Sequence, residues 1–424
     1  RVVVKEWGRA RASLAAVGIG LGPAVTVGTD GDPKRRKCLH ALAGGVDGRK
    51  LEPVVGSVRH HLRMLDMFDM NESLEDAFPV TVNFDGRHVA KRGRNKLITT
   101  GMQLHLTGQV VDRHLLARFF TAAGVTDFGT LLNPLDRQNV PAAVGLLQLL
   151  LPTAETVLEK GDALAPWQSV AHDIRLVGRL GKEILNPILG GVTGENTSCS
   201  IEDALISYST VAHLVLFLYD EMGAAFIPSV LHYDLQATVK DAYYVAVKFA
   251  VDFNGADYNF FLSGSDSLEE LFCIIRGLCP GSNCDYLQLV ERLGGAADIS
   301  LRFALHPEWK RRSRRIHTSE DRVNNKSWRG SVSTSTISNP GVARSLWVAG
   351  RERAHGYLVE HPVLEAAARQ HFLFNDAARK QKQEEGCTML RPHGVLLGVG
   401  ADEGEEVEEE DEEAAAPDQG PQGG

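Results

Sequence analysis

Two short β-rich runs each end on an aspartate. Residues 24–29 (AVTVGT) lead into Asp30, with Gly31 and Pro33 as turn residues, and the alternating Val80, Val82 and Phe84 lead into Asp85. Open α/β sheets gather their chemistry at the carboxyl ends of strands, which makes both carboxylates candidates for a site. After Asp85, the residues His88, Lys91, Arg92 and Asn95 recur at i, i+3, i+4 and i+7. On a helix they share one face, suited either to a phosphate backbone, where Lys and Arg bring charge and several donors, or to solvent. A third carboxylate, Glu269, sits in a helix-turn-helix stretch over 264–293. There Leu268, Leu271, Phe272 and Ile275 form one buried stripe, which turns Glu269, Cys273 and Arg276 toward another face.

The elements that must hold these residues follow from periodicity. Residues 1 to about 105 read as alternating strands and helices, and from Leu106 to about Gly255 the chain turns helical. Helices are expected over Asp112–Ala123, Pro141–Glu159, Ile174–Leu189, Ile201–Met222 and Gln236–Phe253. The fourth is apolar around most of its circumference, starts at a Ser200/Asp203 cap signal and reads as the centre of a bundle, with His213 as a core histidine. In the 264–293 stretch, Asp266 with Glu269 or Ser267 with Glu270 fits a capping box. After the turn at Pro280, Tyr286, Leu289, Val290 and Leu293 repeat the helical spacing until Gly294-Gly295 stops it. A last amphipathic helix is expected over Ala349–Gln383.

Composition narrows the function classes. The 424 residues carry a formal charge of −9, but residues 401–424 alone hold eleven acids and no Lys or Arg, which leaves the body at +2. Such a tail is too charged to fold. Basic clusters stand at Lys34, Arg35, Arg36 and Lys37, and at Lys310, Arg311, Arg312, Arg314 and Arg315. They read as nucleic-acid contacts, as a nuclear-localisation signal or as solvated patches. Six cysteines make no disulfide framework and no common zinc pattern. The longest apolar runs are short for a bilayer, no signal peptide is evident and no GxxxxGK[ST] loop occurs, so the expectation is a nuclear or cytosolic protein without phosphate-loop nucleotide hydrolysis. The chain begins at Arg1 without Met, and a fragment is expected.

Read in order, VGTDGDPKRR, FDGRHVAKRGRN and GSDSLEELFCIIRG resemble the transposase-derived proteins of mushroom-forming fungi, themselves similar to the P-element and hAT branches of cut-and-paste DNA transposases. The matching positions are Asp30-Gly31, then Asp85, His88, Lys91, Arg94 and Asn95, then Leu268-Glu269, Phe272 and Ile275-Arg276, within residues 20 to 335. The resemblance implies a truncated RNase H-like α/β core over 1–105, interrupted by a helical insertion over 106–263. The hairpin of 264–300 would return to the core, followed by a basic loop-rich segment (301–345), a C-terminal helical segment (346–385) and a disordered acidic tail (386–424). It implies three carboxylates holding two Mg²⁺ or Mn²⁺ ions for DNA cleavage and strand transfer. Asp30 would be the second acid and Glu269 the third, with Asp85 as an orienting residue beside the His88/Lys91/Arg92/Asn95 stripe or, alternatively, as a ligand. The first acid has no convincing copy, so an inactive descendant is expected. DNA is the implied partner, contacted by the cations above together with His88, Lys91, Arg92, Arg94, Asn95 and Arg276. A homo-oligomer stays open, and a non-enzymatic DNA- or chromatin-binding protein or a helical scaffold is the alternative.

Overall fold

The computed structural model describes residues 26–29, 54–69, 81–104, 109–189, 199–253, 266–279, 285–306, 309, 337 and 339–397, and over these the chain is mostly helical with little strand. Strand β1 (Thr26–Thr29) pairs in parallel with β2 (Thr81–Phe84). Helix α1 (Val58–Leu62) lies between them in sequence and α2 (Gly86–Thr99) follows β2 directly. A small antiparallel pair, β3 (Met102–Leu104) and β4 (Gln109–Val111), comes next. The wider sheet of an RNase H-like core is not seen among the described residues.

The helices that follow are α3 (Arg113–Ala123), α4 (Val140–Glu159), α5 (Gln168–Leu189), α6 (Ile201–Met222) and α7 (Ser229–Val251). Then come α8 (Asp266–Leu278), α9 (Tyr286–Leu305), α10 (Val342–Val359), α11 (Glu365–Gln370) and α12 (Asp376–Glu384). Their starts have local causes. Asp112, Asn139 and Ser200 each accept the N–H three residues on, opening α3, α4 and α6. Gly124, at φ 82°, closes α3 in the left-handed region.

One core spans residues 58 to 390, and α6 runs through its middle. Its side chains are buried on every face, in keeping with an apolar pattern that has no solvent side. Helix α10 lies against it so closely that a Cβ built on Gly350 would stand 2.3 Å from Ser209 Cβ and 2.7 Å from the Ile206 carbonyl. Ser209 Oγ donates to the Trp347 carbonyl at 2.7 Å, and Trp347 Nε1 donates to the Asp66 carbonyl at 2.9 Å. Phe68, Tyr243 and His213 surround the Trp347 ring. The Asp66 carboxylate accepts from Arg351 at 3.2 Å and Arg379 at 3.1 Å, which fastens the 54–69 stretch to the C-terminal helices. Among the described residues, two helices, Val140–Glu159 and Ile201–Ala225, are long and apolar enough to cross a membrane, and the second is largely enclosed by the core.

Several expected boundaries move. Helix α7 starts at Ser229 rather than Gln236, because Pro228 opens it and its polar first turns are buried rather than looped out. Helix α9 continues through Gly294-Gly295 to Leu305: a glycine pair lowers helix stability but does not end a helix whose Asp285/Gln288 capping box and apolar face both favour it. The expected helix of 349–383 is three helices, broken near Pro362 and restarted by the Asn375 cap. The acidic tail begins later than 386, since Cys387, Met389 and Leu390 are buried in the core and Met389 N–H donates to the Met67 carbonyl at 2.8 Å. Phe272 is 49% exposed instead of buried, and among the described residues the α8–α9 hairpin has a small core of its own, Ile275, Cys279 and Ala296.

His213 is a core histidine, as its surroundings in the sequence suggested, and His232 is a second. Burial pushes both from 6.5 down to about 3, and it lowers His172 and His355 as well. A histidine depressed in the folded state contributes stability above the unfolded value and loses it as pH falls. Stability is therefore predicted to decline between pH 6.5 and 5, before most carboxylates titrate, when urea unfolding is followed across that window; His232→Phe should flatten the decline, and a pH-independent wild type would contradict it.

The α6–α10 contact gives a paired test. Gly350→Ala should cost about 3 kcal/mol, because backbone and Ser209 must both move. Gly356→Ala, with nothing within 4 Å, should be neutral or slightly stabilising by the same denaturation assay.

Candidate functional site at the strand ends

Strands β1 and β2 are aligned Thr26 to Thr81 through Thr29 to Phe84, so they end level. The residue after Phe84 is Asp85, and the residue after Thr29 in sequence is Asp30, which lies outside the described residues. Asp85 is 4% exposed and opens α2: its carbonyl accepts from Val89 N–H at 3.0 Å, and its Oδ1 accepts from His88 N–H at 3.4 Å. His88 Nδ1 stands 3.6 Å from the same oxygen. A carboxylate at a helix N-terminus is favoured by the free N–H groups there.

Behind β2 crosses α7, running the opposite way. Thr81 Oγ1 donates to Asp241 Oδ1, Thr238 Oγ1 donates to the Asp234 carbonyl at 2.8 Å and reaches the Phe84 carbonyl at 3.4 Å, and Arg92 donates to Asp234 Oδ2. Asp234, Thr238 and Asp241 are i, i+4 and i+7, one face of the helix. All three are buried, and so is Lys240, whose Nζ lies 3.9 Å from Asp69 Oδ1. Thr388 Oγ1 donates to the other Asp69 oxygen at 3.0 Å, joining the C-terminal turn to the network.

The stripe expected to face a phosphate backbone faces protein instead. Lys91 donates to Gln138 Oε1, and Asn95 Nδ2 donates to the Arg137 carbonyl at 3.2 Å. Arg94, fully buried, sends Nε to the Leu131 carbonyl at 2.9 Å and Nη1 to the Asp136 carbonyl at 2.8 Å. Its Nη2 donates to the Asn133 carbonyl at 3.1 Å and approaches that of Thr130 at 3.4 Å. Burial pulls the Arg94 guanidinium below its ordinary range, and Asp136 partly offsets this. The FDGRHVAKRGRN segment thus grips the 130–138 loop with Lys91, Arg94 and Asn95, and grips α7 with Arg92. His88, whose side chain is 24% exposed, is the member of the set that reaches toward solvent.

Arg276 is exposed on α8. Glu269 lies within α8, but its side chain is outside the description, as are Lys34, Arg35, Arg36, Lys310, Arg311, Arg312, Arg314 and Arg315 altogether. The partners that sequence reasoning missed are Asp234 and Asp241. The available signal was their seven-residue spacing in a mostly apolar helix, since a charge carried into such a helix needs a countercharge or donor.

No family model, curated protein or solved structure matches the chain.

If Arg94 acts as an internal tie, Arg94→Met should cost about 3 kcal/mol in urea unfolding, since it strands buried carbonyls. Arg94→Lys should recover little, because an ammonium cannot reproduce the planar fork. A cost below about 1 kcal/mol for Arg94→Met would show the loop to be held by other contacts.

Proposed function

We propose that this chain derives from a metal-dependent DNA strand transferase of the carboxylate-triad type, with Asp30, Asp85 and Glu269 as its three acids. One observation carries the reading: two parallel strands end level, and the next residue in sequence after each is an aspartate. The pairing supports Asp85 as a member of the triad together with Asp30, the alternative ligand assignment. An RNase H-like core remains part of this proposal.

The donor set fits a hard divalent ion. Asp85 offers carboxylate oxygen at a position already fixed by the first turn of α2, and Mg²⁺ or Mn²⁺ prefers such oxygens to imidazole or thiolate. When bound by Asp30, Asp85 and Glu269, these ions would supply Lewis-acid activation of water or a 3′-hydroxyl and stabilise the leaving oxygen. The chain's own residues do the positioning. His88 N–H orients the Asp85 carboxylate, Arg92 and Asp234 lock α2 against α7, and Thr238 steadies the last carbonyl of β2. DNA contact would fall to His88, to exposed Arg276 and to the basic clusters of residues 34–36 and 310–315.

Manganese binding tests this site independently of turnover. Full-length protein titrated with Mn²⁺ and followed by electron paramagnetic resonance should bind the ion, and Asp85→Asn should weaken binding at least tenfold. Asparagine remains a good helix cap, so the variant should keep its fold. Equal Mn²⁺ binding by the wild type and Asp85→Asn, or none by the folded wild type, would contradict the reading and favour a helical scaffold.

A further inference from the structure

The carboxyl end of α6 holds a side-chain cluster that plays no part in the strand-end site. Asp220 is bracketed by two imidazoles: His371 Nε2 lies 3.1 Å from its Oδ2, and His393 Nδ1 lies 3.5 Å from its Oδ1. Ligand atoms of Asp220, Glu221 and His371 all fall within 4.8 Å of one another. The residues come from three stretches: the last turn of α6, the cap of the short turn Phe372–Phe374, and the C-terminal turn after Arg391. His371 is buried, its ring 4.8 Å from that of Phe217, whereas Glu221 and His393 are exposed. One ligand is therefore fixed by packing while the mouth stays open to solvent.

A second observation points the same way. His232, in the first turn of α7, is wholly buried, and neither of its ring nitrogens has a hydrogen-bond partner among the described residues. Its ring packs on that of Tyr219 at 4.5 Å, one residue before Asp220. Buried polar groups nearly always find a partner, so the His232 imidazole is a polar group behind the last turn of α6 that the described residues do not account for.

We propose that Asp220, Glu221, His371 and His393 bind one divalent transition-metal ion of the Zn²⁺ class, which ties the C-terminal turn to α6. Two imidazole nitrogens with carboxylate oxygens suit Zn²⁺ or Co²⁺ better than Mg²⁺. His371 and His393 reach opposite oxygens of Asp220, and the ligand atoms of Asp220, Glu221 and His371 lie within 4.8 Å of one another, so a tetrahedron with bonds of about 2.1 Å forms when the exposed Glu221 and His393 side chains rotate onto the ion. Leu373 N–H donates to His371 Nδ1 at 3.3 Å, so the metal-free ring carries its proton on Nε2, facing Asp220. Metal binding moves that proton to Nδ1 and gives up the long bond from Leu373. That leaves two buried donors, Nδ1–H and the Leu373 N–H, facing each other, a cost that coordination must exceed.

The test uses full-length protein stripped of metal with a chelator. Titration with Co²⁺, read by the intense visible band of four-coordinate Co²⁺ that an all-oxygen six-coordinate site does not give, should show one such ion per chain, and Zn²⁺ should raise the unfolding temperature. His393→Ala and Glu221→Gln alter exposed side chains and should leave the fold intact, yet each should weaken Co²⁺ binding at least tenfold. The four-coordinate Co²⁺ band should depend on His393 and Glu221, whereas Mn²⁺ binding at the strand ends should not, which separates the two sites. Absence of stoichiometric Co²⁺ binding by the wild type, or wild-type affinity in both His393→Ala and Glu221→Gln, would overturn the proposal.

Discussion

Helix α7 carries Asp234, Thr238 and Asp241 along one face into an interior lined mainly by Leu, Val and aromatic side chains. Charges in such a place are costly unless each meets a countercharge or donor in good geometry. Here Arg92 meets Asp234, Thr81 meets Asp241, and Thr238 reaches the end carbonyl of β2. A one-turn slip of α7 along β2 would break all three at once. The contact therefore fixes register between a two-stranded sheet and a helical body that could otherwise slide on its apolar surface. That gain is in specificity more than in net stability, because desolvation offsets much of the Coulombic attraction.

The same register determines what the edge of β2 presents. Asp85 is held where β2 ends and α2 begins, and α2 is itself pinned on two sides, to α7 through Arg92 and to the 130–138 loop through Lys91, Arg94 and Asn95. A polar helix face that looks designed for a phosphate backbone is in this fold an internal clamp. The clamp transmits position: α6 orders α7 and α10, α7 orders β2 and α2, and α2 sets the direction of the Asp85 carboxylate. Two histidines repeat the device farther along the chain. His361 and His371 each accept an N–H two residues on and hold a carboxylate of the bundle, Asp173 at 3.0 Å and Asp220 at 3.1 Å.

How much of this was legible in the sequence varied with the kind of signal. The bounds of α6, its central place and the interior role of His213 followed from an apolar pattern with no polar side and from the Ser200 cap. The start of α3 followed from Asp112. The strand-end position of Asp85 followed from alternation and a turn. What periodicity could not reveal was direction, because a stripe of Lys, Arg and Asn looks the same whether it faces solvent, nucleic acid or a loop of carbonyls. The difference lies in residues 130–138 and in Asp234, which are distant in sequence and become informative only once packed. Helix α9 misled for a local reason, since Gly294-Gly295 reads as a stop while the capping box at Asp285 and the apolar residues beyond the glycines continue the helix.

The account rests on the α2–α7 contact being a structural framework. A double-mutant cycle on Arg92 and Asp234, using Arg92→Met, Asp234→Asn and the double variant in urea unfolding, measures that contact directly. The account predicts a coupling energy of about 2 kcal/mol or more, with each single variant strongly destabilised and the double variant losing much less than their sum. A coupling below about 0.5 kcal/mol, with the two substitutions simply additive, would contradict it.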